Sequence, residues 1–317
     1  MAVNAPSTNA SSAQGTGRVP SLPVALLAVV AGSLVVAAAT APALFEAITS
    51  LVPTARLPFS RVFDRVALAA ALVLVVALRR AFPFADAWRL VRADGWGVAS
   101  RRAAVGVALA ATSTLAALPL VVGSGRLGWS DAGVARAAAL LLTGLPAALL
   151  VSCLEEGFFR ALVFRGLRAR LSAAGAAVAS SALYALAHVV SPDHRYVPPD
   201  ASPGAGLAYL ATLGERVLSS ASLATALGLA LIGLVLALAL ERTASFALCV
   251  GLHAGWFAAA KVAILATTSP AGLGAAGSAA KRALFLSHPA VLVAIVLVGV
   301  AVLALPRRHA AGAATPA

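Results

Sequence analysis

ASLATALGLALIGLVLALAL, residues 221–240, runs for twenty residues without a charge. At 1.5 Å per residue such a run makes a helix about 30 Å long, the thickness of a bilayer's hydrocarbon core. In lipid the backbone must satisfy its own N–H and C=O groups, and a helix does so within one segment. The stretch therefore reads as a transmembrane helix. Seven further apolar runs, bounded by charge, Pro and Gly, read alike: 22–45, 62–78, 103–122, 134–154, 173–190, 244–266 and 289–305. The second is the weakest, because Asp64 and Arg65 shorten its apolar core to 66–78. Pro146 is expected to kink the fourth, with neighbouring helices re-satisfying the freed carbonyl. The fold class that follows is all-α, a polytopic membrane bundle of about eight transmembrane helices.

Composition agrees. The 317 residues are 61% hydrophobic and 11% charged, with a mean hydropathy of +0.95. A soluble domain carries about 25% charged residues, so the partner of most of this surface is the lipid bilayer. A net charge of +13 would suggest nucleic acid in a soluble protein. Here the arginines fall in short segments between apolar runs, the pattern of topology signals and anionic-lipid contact, which argues against a nucleic-acid partner. Eight spans place Arg18, the arginines of 79–102 and 160–170, Arg242, Arg307 and Arg308 on one side. The positive-inside rule makes that side the cytoplasm, with both termini in it, and the expected location is the cell (inner or plasma) membrane. Oligomeric state is not legible in these residues.

Smaller features complete the organisation. Residues 1–20, rich in Ser, Thr, Asn, Ala and Gly, read as a disordered tail. Run 22–45 is too long and its flank too weakly basic for a signal peptide, so a retained first span is expected. Cys153 and Cys249 lie in apolar segments and read as packing residues, not as a disulfide framework. Segment 160–171 alternates arginine with Phe164, Leu167 and Leu171 and suggests a short interfacial amphipathic helix. Segment 191–220, with Pro192, Pro198, Pro199 and Pro203, suggests a loop able to lid the non-cytoplasmic face.

Ionisable residues inside a bilayer cost roughly 2.5–3.5 kcal/mol each on insertion scales and mark functional sites by default. Most spans contain none, so Glu155, Glu156, His188, His253 and Lys261 stand out. Glu156 and Arg160 are spaced i, i+4 and can pair on one helix face. Glu155 points about 100° away, free to act as a base. Tyr184, four residues before His188, can stack on or orient that imidazole. His253 sits between Gly251 and Gly255, a small-xxx-small pair that admits a close neighbouring helix and would press His253 toward it. Glu155, His188 and His253 can bind a catalytic zinc with an open position, or hold a water without metal. A metal site at these three residues and a Zn2+ cofactor are therefore candidates; no other cofactor is implied.

The order Glu155-Glu156-Gly157-Phe158-Phe159-Arg160, then Tyr184 to His188, then Gly251-Leu252-His253 resembles the CPBP family, the CAAX-protease and bacteriocin-processing membrane proteins, also called Abi. The likeness covers about 141–261. It divides the chain into N-terminal transmembrane helices (21–130), a CPBP-type catalytic core (131–268) and a last span with a short tail (269–317). It implies an intramembrane endopeptidase of glutamic or metallo type, with its site in a cavity opening toward the cytoplasm. Glu155 would activate water with His188, His253 would help stabilise the oxyanion, and Glu156 and Arg160 would support the site. The substrate would be a membrane protein or peptide.

Two positions depart from the pattern. Eukaryotic-type members carry Asn four residues after the third-motif His, where this chain has Phe257, and Tyr184 stands where Phe is usual. Loss of an oxyanion donor typically costs about 10²–10³ in rate. A backbone amide or Trp256 would have to serve instead. The missing Asn weakens prenyl-protein cleavage more than proteolysis in general. The alternatives are a catalytically inactive membrane scaffold or immunity protein of the same fold, and an ion- or proton-coupled transporter. No His-Glu-x-x-His occurs, which excludes a zincin motif. The Ala-, Val- and Arg-rich composition points to a high-GC bacterial gene, and so to peptide maturation or sorting-signal cleavage.

Overall fold

A computed structural model describes residues 20–52, 54, 57–131, 134–189, 195–268 and 278–307. The expected disordered tail 1–20 lies almost wholly outside the described residues. The chain is an all-α bundle: α1 (Leu22–Leu51), α2 (Phe59–Ala77), α3 (Phe84–Arg92), α4 (Trp96–Gly123), α5 (Val134–Glu156), α6 (Arg165–Arg168), α7 (Ala173–Val189), α8 (Pro203–Val217), α9 (Ser220–Thr243), α10 (Phe246–Ala266), α11 (Ser278–Leu286) and α12 (Pro289–Ala304). Each of the eight apolar runs forms a helix. Four of them, α1, α4, α9 and α10, are long and apolar enough on their own to cross a membrane, while α7 and α12 are shorter apolar helices.

Hydrophobic side chains cover the outside as well as the core. Val35, Leu68, Val73, Leu150, Leu227 and Leu297 are all more than half exposed. A water-soluble monomer rarely exposes so much apolar surface, and lipid is the solvent that suits it.

At the centre lies α10, buried from Leu248 to Trp256 without interruption and packed against α4, α5 and α9. The α4–α10 crossing is close because both sides lack side chains. A Cβ on Gly251 would stand 2.1 Å from the Ala103 carbonyl oxygen, and one on Gly106 would stand 2.6 Å from the Leu252 nitrogen. The small-xxx-small reading is therefore correct about the partner's approach, but not about His253. Two residues advance a helix by about 200°, so with Gly251 against α4, His253 faces the other way, toward α5 and α7. Ser245 starts α10 by accepting the Leu248 N–H (3.2 Å) and donates its hydroxyl to Asp94 (2.7 Å), which also pairs with Arg102. At its far end Thr267–Thr268 (β2) pairs antiparallel with Gly128–Trp129 (β1), fastening the end of α10 beside the loop that follows α4.

Two expectations are corrected. Segment 160–171 is not a separate amphipathic helix: α5 continues as a π-helical stretch, Gly157–Phe164, and then as α6. Residues 159–164 are buried, including Arg160, because Glu156 supplies a counter-charge inside the bundle. The later arginines do face out, and Arg168 pairs with Glu241 at 3.1 Å. Segment 191–220 is not simply a loop. Its prolines end before or begin α8, which packs on α1 and α2 through Tyr209 and Leu213 against Ala37, Ala38, Phe59 and Phe63. Residues 190–194 lie outside the described residues. Cys249 is a buried packing residue as expected, whereas Cys153 is exposed on the apolar surface.

Candidate active site

The α5–π–α6 rod turns at residues 169–172 and returns as α7. Glu155 lies roughly as far before that turn as His188 lies after it, so the hairpin brings them level, about 20–25 Å from the turn at 1.5 Å per residue. The acidic pair is thus deep inside a long helix. Past it the helix widens: the Arg165 N–H reaches back five residues to the Arg160 carbonyl. Such π-turns recur at functional sites, and here the turn carries Phe159 and Arg160 into the same cluster as the two glutamates.

The geometry gathers Glu155, Glu156, Arg160, His188 and His253 into one cluster and leaves Lys261 outside it. Glu155 Oε2 is 3.0 Å from His188 Nε2 and 3.7 Å from His253 Nε2. Glu156 Oε1 is 2.8 Å from His253 Nδ1, and its Oε2 is 3.3 Å from Arg160 Nε. Glu156 and Arg160 are fully buried, while Glu155 and His188 keep 29% and 27% of their side chains accessible. Among the described residues Arg160 makes this one ionic contact, and it lies 5.3 Å over the Tyr184 ring. Tyr184 stacks against His188 at 4.2 Å, edge-on to Phe159, and its hydroxyl is 3.4 Å from His253 Nε2.

Hydrogen-bond chemistry places the protons. His188 Nδ1 is 2.8 Å from the Tyr184 carbonyl oxygen. A carbonyl only accepts, so Nδ1 carries the hydrogen. The contact between His188 Nε2 and Glu155 then needs one proton, held by the imidazole against a carboxylate or by the carboxyl against a neutral ring. Glu156 accepts from the His253 Nδ1–H, and the Nε2 of His253 faces the Tyr184 hydroxyl. Sequence spacing showed the Glu156–Arg160 pair. It did not show that Glu156 also orients His253, because that contact spans 97 residues of chain.

Beside this cluster lies a cavity of about 130 Å³, reached along α10. Tyr184, His253, Trp256 and Phe257 line its inner part, and Lys261 and Arg282 its other end. Lys261 sits 4.4 Å over the Phe257 ring, so its charge is partly met by the aromatic face. Buried Trp256 has an indole Nε1 with no hydrogen-bond partner among the described residues. Glu155, His188 and His253 are zinc-ligand types, yet no group of three or more His, Cys, Asp or Glu among the described residues is arranged to hold a metal ion. The donor chemistry suits zinc; the present spacing, with Glu155 and His188 in direct hydrogen bond, does not.

Residues 137–259 match the family model described as type II CAAX prenyl endopeptidase Rce1-like. The likeness covers this segment alone. It agrees with the CPBP resemblance, and the matched segment contains Glu155, Glu156, Arg160, His188 and His253. No curated protein and no solved structure matches the chain.

Proposed function

We propose that this protein is an intramembrane endopeptidase that hydrolyses a peptide bond of a membrane-associated protein or peptide with a water activated by Glu155 and His188. The observation that carries the reading is the 3.0 Å Glu155–His188 contact, with the far nitrogen of His188 fixed on a backbone carbonyl. A carboxylate and an imidazole sharing one proton can take a proton from water as it attacks and return one to the leaving amine. The two groups are the most accessible of the charged cluster, so water and a peptide can reach them. Glu156 and Arg160 hold His253, and the Tyr184 ring holds His188. Zinc held by Glu155, His188 and His253 is the rival form of the same site, and it would supply a Lewis acid. Metal content of the purified protein, with and without His253→Ala, separates the two.

The location proposed is the cell membrane with both termini in the cytoplasm, and the substrates proposed are maturing peptides or sorting signals. To test the activity, membranes from cells lacking this gene would be incubated with the purified protein in liposomes, and new peptide termini identified by mass spectrometry. Wild type should create a defined set of termini, while Glu155→Ala and His188→Ala, present at normal abundance, should create none. A full set from Glu155→Ala would overturn the assignment.

A further inference from the structure

Peptide hydrolysis pushes negative charge onto the carbonyl oxygen, and a site must offer free N–H or O–H groups where that charge appears. The Nδ1–H of each histidine is already taken. The Nδ1–H of His188 is committed to the Tyr184 carbonyl and that of His253 to Glu156, while the remaining proton of His188 is shared with Glu155. Arg160 is fully buried behind Glu156. Four residues after His253, on the same face of α10, stands Phe257, which has no polar group to give.

Beside His253 the cavity wall offers two donors, since the Thr114 hydroxyl is given to the Ala110 carbonyl and Lys261 and Arg282 line the other end. The buried Tyr184 hydroxyl makes a single long contact, 3.4 Å, to the Nε2 of His253, and can turn to a better acceptor without breaking a strong bond. Trp256 lies three residues after His253, one helical turn along, and brings a buried indole N–H without a partner among the described residues. A buried donor left unpaired is costly unless something accepts from it. One weakly engaged donor and one unpaired donor beside the same histidine, at the edge of a cavity, suit an oxygen anion.

We propose that Tyr184 O–H and Trp256 Nε1–H are the oxyanion donors of this site, replacing any donor at position 257. The inference rests on the endopeptidase reading above. In the step concerned, the water oxygen bonds to the carbonyl carbon, the C=O π pair moves onto the oxygen, and the water proton passes to Glu155. Both donors then point at that oxygen. On collapse the C=O re-forms, the C–N bond breaks, and its electron pair on nitrogen takes the proton, giving an acid and an amine.

The test compares initial rates of terminus formation in the same liposome assay for wild type, Glu155→Ala, Tyr184→Phe, Trp256→Phe and Tyr184→Phe/Phe257→Asn. Tyr184→Phe keeps the ring that stacks on His188, so the fold should persist, and its abundance and melting temperature check this. The expected result is a loss of about 10²–10³ in rate for Tyr184→Phe and a comparable or smaller loss for Trp256→Phe. Adding Phe257→Asn should recover part of the rate, since it returns a donor to the same helix face. A merely structural role for Tyr184 would not be rescued in this way. Wild-type rates from both single variants, with Glu155→Ala silent, would overturn this proposal and leave the endopeptidase reading standing. A fully active Glu155→Ala would instead overturn that reading.

Discussion

At Glu156 one carboxylate serves two partners, Arg160 on its own helix and His253 on α10. Both oxygens are enclosed, so neither partner can be replaced by water. Removing one partner of a buried pair strands the other and typically costs about 3–5 kcal/mol. Arg160→Ala is therefore expected to lower the yield of folded protein and its melting temperature in detergent, with no effect on messenger level. Replacing both charges with apolar groups of similar volume should behave differently, since such swaps are often neutral. Glu156→Leu/Arg160→Met is expected to fold near wild-type yield yet show no cleavage, because His253 loses the acceptor that sets its tautomer. Equal losses of fold in the single and double variants would show that the pair is not the relevant interaction. Spacing alone made the Glu156–Arg160 pair and the Tyr184–His188 stack legible, because both are one-turn contacts on a single helix. The contacts to His253 were not legible. They join separate helices, and the glycines beside His253 suggested the wrong face.

Helix order was legible wherever an apolar run met a charge or a proline, and all eight runs form helices, although α1 runs on to Leu51 and α4 begins at Trp96, beyond the apolar runs that announced them. What sequence could not show was where the α5 rod ends. Arginines at 160, 165, 168 and 170 look like a membrane surface. In the structure the first is neutralised inside, and the helix widens into a π-turn that no residue type announces. Helix α8 was hidden by the prolines around it, one of which, Pro203, begins the helix. The close α4–α10 crossing gives a prediction at this scale. Gly251→Ala would place a methyl 2.1 Å from a backbone oxygen that cannot step aside, whereas at Gly157 a Cβ meets nothing within 4 Å. Overpacking of this kind costs typically about 1–3 kcal/mol, while alanine is roughly 1 kcal/mol better than glycine inside a helix. Melting temperatures in one detergent should fall for Gly251→Ala and hold or rise for Gly157→Ala. Similar values for the two would mean that the crossing is looser than the backbone distances require.

The orientation of the whole molecule decides which side of the membrane supplies the substrate. The cavity runs from His253 toward the Lys261 end of α10, where β2 meets β1, and that end is opposite the arginine-bearing segments 79–102 and 165–170. With those arginines in the cytoplasm the cavity reaches toward the outer face. The resemblance to CAAX proteases implied the reverse, an opening to the cytoplasm. Both cannot hold for one orientation, and chemical labelling separates them. With Cys153 and Cys249 replaced by alanine, Gly97→Cys reports on the arginine side and Asp200→Cys on the other; both native residues are exposed. A membrane-impermeant maleimide is expected to label Asp200→Cys in intact cells and Gly97→Cys only after the membrane is opened. That pattern would fix both termini inside and point to substrates met at the outer face, such as secreted or membrane-anchored peptides. Labelling of Gly97→Cys alone in intact cells would invert the molecule against its arginine bias and turn the cavity to the cytoplasm. Labelling of both in intact cells would break the eight-span count itself, since the three crossings it puts between positions 97 and 200 must leave them on opposite sides.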